Sequence, residues 1–462
     1  MTTRALVGLA LLNTFVLGVG VAALWSLRGW RSMAELARLS GLAYMLGVAL
    51  LGVTLSVELV LGVPFSFGTI VLTGLGLAGA SIVLRRALGP TDPPTEGAGR
   101  RGLGAVGAVY GVLVVLYLEA LFRAGRLAGL SAWDAWAFWV PKAKAIYFFG
   151  DLDEQFFREL ANPTYPPLLP ALEASAFHFM GSADVVTLHL QFWFLACGFA
   201  AAVAGLLAPR VSSLVLWPFL LLVLVAPRVV GRNLDPQADF LLDYFFALAA
   251  LLVALWLLDR RPWQLVAASL FLGAGMLTKR EGLLLAACVI AAAWVASWRD
   301  RRYAWPRLAL AAACGVAVAL PWRIWFSSRD LSGELPEAGL LGLFDHLDRA
   351  WPAFRSVLST VFDYELWIVV PPLAGIAIVL AFLAGARVVP MFALVLYASL
   401  IAGFTWVLWS FTELELPFVQ DEGVNPIVRL TGSLVVVSSA LVPLLLDAAW
   451  RGNDRRPTPE RS

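Results

Sequence analysis

The sequence predicts an all-α polytopic membrane protein of about thirteen transmembrane helices, and three observations carry that expectation. Of 462 residues, 60% are hydrophobic and only 14% charged, against about 25% charged in an ordinary soluble domain. The apolar residues fall into runs of the roughly 20 that a helix needs to cross a bilayer core. The arginines collect in short loops that alternate along the chain, as cytoplasmic loops do. A formal net charge of +2 is too small for a nucleic-acid partner or a polybasic membrane tail, so the placement of charge is what informs.

The runs lie near 5–25, 41–62, 66–84 and 103–121, then near 183–208, 212–230, 237–258, 262–278, 282–298, 305–325, 366–385, 388–411 and 431–448. The first, after Arg4, reads as a span rather than a signal peptide, because no small-residue cleavage site leads into a soluble domain. Between the fourth and fifth runs stands SAWDAWAFWVPKAKAIYFFGD, residues 131–151, with one Asp and two Lys among aromatic residues. An amino terminus outside and a carboxyl terminus inside put every arginine-rich short loop in the cytoplasm. These loops carry Arg28, Arg31 and Arg38; Arg85, Arg86, Arg100 and Arg101 around a Pro/Gly-rich linker; Arg210; Arg260 and Arg261; Arg299, Arg301 and Arg302; Arg387; and the tail RGNDRRPTPERS. The chain then divides into an amino-terminal three-helix module with its linker (1–102), a membrane core (103–326) with an outer loop at 122–182, an outer amphipathic loop with the last helices (327–448), and a cytoplasmic tail (449–462). Cys197, Cys288 and Cys314 each sit in an apolar run and read as small buried hydrophobes, with no disulfide framework or metal cluster.

The opposite face collects the loop with Asp134, the loop GRNLDPQAD, the turn TKREG and the segment 327–365. The only lysines of the chain, Lys142, Lys144 and Lys279, all fall there. Two readings of Asp134 stand. With Ser131 it fits a capping box. It also lies among Trp133, Trp136, Val140 and Tyr147, which recur at helical spacing as an interfacial aromatic face, where a carboxylate in lowered dielectric is suited to act as a base on a hydroxyl. Pro141 breaks or kinks this segment. The stretch NPTYPPLLPALEASAFHFMG reads as a juxtamembrane helix against the outer leaflet, walling a groove. His178 and His189 read as packing residues, because no second His or Cys stands at metal spacing.

In DPQADFLLDYFF, Asp235, Asp239 and Asp243 recur every four residues. A helix amino terminus accounts for Asp235 and in part for Asp239, but Asp243 lies deeper, where an ionisable group marks function. In MLTKREGLLL, Lys279, Arg280 and Glu281 share a turn with almost no loop to solvate them. The cations read either as snorkelling anchors or as an anion site in which a Lys point charge and an Arg fork hold a phosphate. Glu281 neutralises at most one of the two, so an anionic partner is expected.

Taken in order, WDAWAFW, YPPLLPAL with its closing FMG, ADFLLDYFFALAALL and LTKREGLLL resemble the polytopic glycosyltransferases of the GT-C fold. That group takes sugars from polyprenyl-phosphate carriers and includes the protein O-mannosyltransferases and lipid A aminoarabinose transferases. The resemblance covers roughly residues 103–326. It implies that Asp134 is the catalytic base, that Asp239 is the second outer-loop acid arranging acceptor or metal, and that Lys279 lies near the lipid phosphate. Arg280, with Lys142, Lys144 and Arg429 as helpers, completes the expected phosphate site, and Glu281, Asp235, Asp243 and Tyr165 support it. The sequence departs from the family in three places. Four helices rather than one precede the loop aspartate, Ala135 stands where an adjacent acid is common, and no large carboxyl-terminal soluble domain selects an acceptor.

The expected activity is transfer of a sugar from a polyprenyl-phosphate donor to a hydroxyl of a lipid, polysaccharide or protein, on the extracytoplasmic side of the plasma membrane. A divalent cation between Asp239 and the phosphate would serve the same electrostatic end; the sequence leaves this open. The alternatives are a transporter or flippase of a lipid-linked substrate, whose halves should repeat and do not visibly do so, and a non-catalytic envelope-assembly protein, in which Asp134 and Asp239 would stay apart in space.

Overall fold

Within lipid no water is available to backbone N–H and C=O groups, so apolar segments close their hydrogen bonds internally as helices. The computed structural model describes residues 1–88, 104–329, 331, 347–410 and 426–451, and among these it has helices and no strand. The linker arginines Arg100 and Arg101, residues 332–346 of the outer segment, and the tail beyond Arg451 lie outside the described residues.

The chain opens with α1 (Thr3–Leu27), the short α2 (Met33–Arg38), α3 (Ser40–Val60), α4 (Phe67–Leu88) and α5 (Ala105–Gly125). A compact group of short helices follows: α6 (Val140–Phe149), α7 (Glu154–Glu159) and α8 (Leu168–Met180). The long run continues with α9 (Val185–Leu207), α10 (Ser213–Leu224), α11 (Pro227–Asn233), α12 (Ala238–Asp259), α13 (Pro262–Thr278), α14 (Gly282–Ala296) and α15 (Arg301–Ser327). It ends with α16 (Ala350–Val361), α17 (Tyr364–Trp367), α18 (Val370–Leu383), α19 (Val388–Ser410) and α20 (Pro426–Arg451).

Among the described residues, nine helices are long and apolar enough to cross a membrane: α1, α3, α4, α5, α9, α12, α15, α19 and α20. The run near 212–230 is the pair α10 and α11, bent by 69° where Pro227 follows Ala226 and interrupts the helical hydrogen bonds. The runs at 262–278, 282–298 and 366–385 are the shorter apolar helices α13, α14 and α18. The thirteen apolar runs therefore correspond to nine full-length helices, one broken pair and three short helices.

The centre of the bundle is α12, buried at every residue from Ala238 to Leu257 and packed along α13 and α20. On one flank α1 crosses α3 where Gly20 and Gly47 face each other. A Cβ at Gly20 would collide with the carbonyl of Ala43, and one at Gly47 with that of Val16, so only small residues allow this backbone approach. The α1 and α3 pair docks on α8 and α9 through a buried polar cluster. Asn13 donates to Gln191 at 2.8 Å, Tyr44 donates to Asn13 at 2.5 Å, and Gln191 donates to the Tyr44 hydroxyl at 3.2 Å.

The expected leaflet helix is present as α8, but it is enclosed by protein rather than lying against lipid. Every residue from Leu168 to Phe177 is buried, with α1, α3 and α6 around it. The reason is that LLPALEASAF, Glu173 apart, is apolar or small all round, which is the pattern of an enclosed helix. Cys314 also departs from expectation, being exposed on α15, whereas Cys288 is buried and Cys197 intermediate.

The arginines of the alternating short loops lie at one end of the bundle. Arg28 lies over Trp263, Arg85 over Trp25, Arg210 pairs with Asp259, and Arg260 pairs with Asp300 at 3.1 Å. The lysines and the acids of the sequence constellation lie at the other end, where α12 and α20 begin and α13 finishes.

Candidate functional site

The helix carrying Asp134 starts at Trp133 and passes at once into a five-residue π-helix, Ala135–Trp139, before α6. Pro141 follows the π turn directly, within one helical run from Trp133 to Phe149, and its missing N–H leaves a helical hydrogen bond unmade there. The wider π turn shifts the side-chain phase, so Trp133 and Trp136 are about half exposed while Val140 is buried, and the continuous aromatic face expected from the sequence is divided. The capping box does not form, because Ser131 instead donates to Asp235 Oδ1 at 2.6 Å.

Asp134, 7% exposed, receives a charged hydrogen bond to Oδ2 from Nη2 of Arg429, in the first turn of α20. Arg429 also stands with Nε 3.9 Å from Asp239 Oδ2. Asp239, in the first turn of α12, accepts at Oδ1 from Lys279 Nζ at 2.8 Å, and Lys279 reaches Glu281 Oε1 at 3.0 Å. Asp134, Arg429, Asp239, Lys279 and Glu281 thus form one continuous chain of alternating charge. Lys279 caps the end of α13 in an extended conformation, which lets its side chain turn back across the start of α12. By sequence Lys279 and Arg280 have only Glu281 as an anion; in the structure Asp239 supplies a second carboxylate, and it and Glu281 both hold Lys279.

Tyr165 is the hub of the second half of the site. Its ring stacks on Trp139 at 5.3 Å and meets Phe138 at 5.4 Å. The Lys279 and Arg280 head groups lie 5.8 Å from its centroid and that of Lys142 lies 6.0 Å away, within cation–π range. Enclosure pushes the Tyr165 hydroxyl up to about 12, with Glu281 adding to the rise and Lys279 opposing it. Arg280 donates to the Thr164 hydroxyl. Lys142 is fully buried and donates to the carbonyls of Asn162 at 2.7 Å and Tyr165 at 3.4 Å. Asn162 takes a positive φ of 52°, the left-handed conformation Asn tolerates, at the turn that presents this carbonyl. Burial, and secondarily the Arg280 charge, hold the Lys142 ammonium well below its usual range. Lys144, two residues on and so on another face of α6, joins none of these contacts.

Two further predicted residues sit beside the chain. Asp235 takes the Ser131 hydroxyl as above. Asp243, one turn below Asp239, is bound by Arg232 Nη1 at 2.5 Å and by the Ser433 hydroxyl. Arg232 and Ser433 were not singled out in the sequence, although an arginine in GRNLDPQAD, close to the three aspartates that open α12, was a readable signal. His178 packs its ring against Tyr147 at 4.8 Å, and His189 hydrogen-bonds the carbonyl of Val185 at 2.7 Å, as packing residues do.

A divalent cation does not fit the donor set. Lys279 already holds Asp239 Oδ1, Arg429 lies against the other oxygen, and among the described residues no three of His, Cys, Asp and Glu gather as a metal site. Chemically the arrangement offers a buried carboxylate in the grip of a guanidinium, with Arg280 and Tyr165 alongside. Compared with protein-family models, characterised proteins and solved structures, the chain matches none.

Proposed function

We propose that the chain is a membrane glycosyltransferase that moves a sugar from a polyprenyl-phosphate carrier to a hydroxyl acceptor on the extracytoplasmic face of the plasma membrane, with all thirteen apolar runs crossing or entering the bilayer. The observation that carries this reading is the convergence of Asp134, Asp239, Lys279 and Arg429, drawn from four separate parts of the sequence, into one charged chain at the bundle end away from the arginine-rich loops.

In the proposed step the acceptor oxygen attacks the anomeric carbon of the donor sugar. The new glycosidic bond forms as the carbon–oxygen bond to the phosphate breaks, and the electron pair leaves with the phosphate. Asp134 accepts the acceptor's proton. Arg429 and Arg280 stabilise the charge developing on the departing phosphate. For Asp134 to act as base, Arg429 turns from the aspartate to the phosphate, so donor binding frees the carboxylate that the resting state holds. Lys279 holds Asp239 in place, which in turn keeps Arg429 between the two aspartates.

The test is to reconstitute the purified protein in liposomes with radiolabelled pentosyl and hexosyl polyprenyl phosphates, to add a cell-envelope extract as the source of lipid, polysaccharide and protein hydroxyls, and to follow transfer of label from the carrier. Consumption by the wild type and none by Asp134→Asn is the expected result. Equal rates in the two, or movement of the intact labelled lipid between leaflets without cleavage, would overturn the reading, the latter in favour of a flippase.

A further inference from the structure

Arg429 reaches both aspartates from the first turn of α20, and something must hold that turn in register. Arg232, at the end of α11 and 5% exposed, lies against it. Its Nη2 donates to the carbonyl of Val428 at 3.1 Å and to the carbonyl of Arg429 itself, while Nη1 holds Asp243 Oδ2 at 2.5 Å. The other oxygen of Asp243 takes the hydroxyl of Ser433, one turn further along α20. Room for this guanidinium exists because position 432 is glycine, where a Cβ would collide with Nη1 and Cζ of Arg232. One side chain therefore ties α11, α12 and α20 together, and it binds the backbone of the residue whose side chain faces Asp134. The planar fork of Arg makes these divergent contacts at once, whereas a Lys point charge does not.

We infer that Arg232 is a positioning residue, which through Asp243 and the gap over Gly432 sets Arg429 against Asp134 and Asp239. Only the kinetic arm of its test rests on the proposed sugar transfer. A buried ion pair that merely glues helices would destabilise the fold when broken without altering what Arg429 and Asp134 do to each other. The distinguishing measurement is a double-mutant cycle on the full chain in detergent, in which the thermal midpoint is read for Asp134→Asn, Arg429→Gln and both together. In the wild-type background the double variant is expected to lose no more than the larger single loss. In a Gly432→Ala background, which keeps every charge but displaces Arg232, the two losses are expected to add, because the pair is no longer formed. The same non-additivity in both backgrounds would overturn the inference.

Arg232→Lys serves as the background if Gly432→Ala does not fold, with the same two outcomes. For the kinetic arm the probe is the polyprenyl-phosphate sugar that the wild type consumes. Gly432→Ala and Arg232→Lys are expected to lower kcat about tenfold or more with KM changed less, the pattern of a contact that strengthens as the phosphate leaves. Unchanged kcat would overturn the inference. If the wild type consumes no such donor, the proposed function falls and the thermal cycle alone decides whether Arg232 positions Arg429.

Discussion

Replacing Lys279 by Met removes the cation that Asp239 and Glu281 share. The Lys279 side chain is 3% exposed and that of Asp239 is 7% exposed, so the pair is buried, and removing one partner of such a pair costs about 3–5 kcal/mol because the other charge stays uncompensated in low dielectric. Arg429 remains with Nε 3.9 Å from Asp239 and offsets part of this, which places the expected loss at the low end, about 3 kcal/mol. An unfolding entropy of about 2.1 cal/mol/K per residue amounts to about 1 kcal/mol/K over 462 residues, so the thermal midpoint should fall by about 3 °C. Tryptophan fluorescence during heating reads this directly. Adding Asp239→Asn to Lys279→Met should cost less than the two single losses together, because the stranded carboxylate is then gone. A headgroup-facing anchor behaves otherwise. A Lys279→Met midpoint within about 1 °C of the wild type, or strict additivity in the double variant, would refute the buried-network account.

Asp134→Asn should lower sugar transfer by about a hundredfold or more, the usual contribution of a general base, while the protein still purifies as a folded monodisperse species. Glu173, buried in α8 with both carboxylate oxygens lacking hydrogen-bond partners, has its acid range pushed well above the ordinary 4.5 by burial. The folded state therefore holds a proton that the unfolded chain releases near pH 4.5, so this group lowers stability as pH rises from there towards its folded value. Glu173→Gln should match the wild type below that pH and exceed it in thermal midpoint above it; a gain independent of pH would contradict the assignment. In a cysteine-free background, a single cysteine at Asp151 should label in intact cells with an impermeant maleimide and one at Arg31 should not; the reverse pattern would invert the topology.

Much of the helical architecture could be read in the sequence, because a bilayer imposes a length and a hydropathy that single runs display without reference to their neighbours. The acids and lysines of the site were equally visible, each being anomalous in its own apolar context. What the sequence could not display was pairing. Asp134 and Arg429 lie 295 residues apart, and nothing local to either announces the other. The same blindness made Lys279 look short of an anion when Asp239, 40 residues away, supplies one. The enclosure of α8 is hard to read for a different reason: its length excludes a crossing, its prolines suggest an irregular interfacial segment, and Glu173 interrupts the apolar circumference that marks an enclosed helix. The capping box at Ser131 and Asp134 was a valid local pattern that lost to a longer-range hydrogen bond with Asp235.

The polar cluster of Asn13, Tyr44 and Gln191 bears on how the protein is made. Asn13 enters the membrane with the first helix, where its amide can bond the carbonyl of Leu9 at 2.9 Å, and Tyr44 follows soon after on α3. Gln191 comes 178 residues behind Asn13, a gap of about 9 to 36 s at ordinary rates of synthesis. For that interval the first hairpin sits in the bilayer with part of its hydrogen-bonding capacity unfilled, joined by the glycine contact between α1 and α3 and by the Tyr44 to Asn13 hydrogen bond. Nascent chains halted before α9 is inserted should accordingly be degraded faster than chains halted just after it, since the arrival of Gln191 is the event that completes the amino-terminal hairpin.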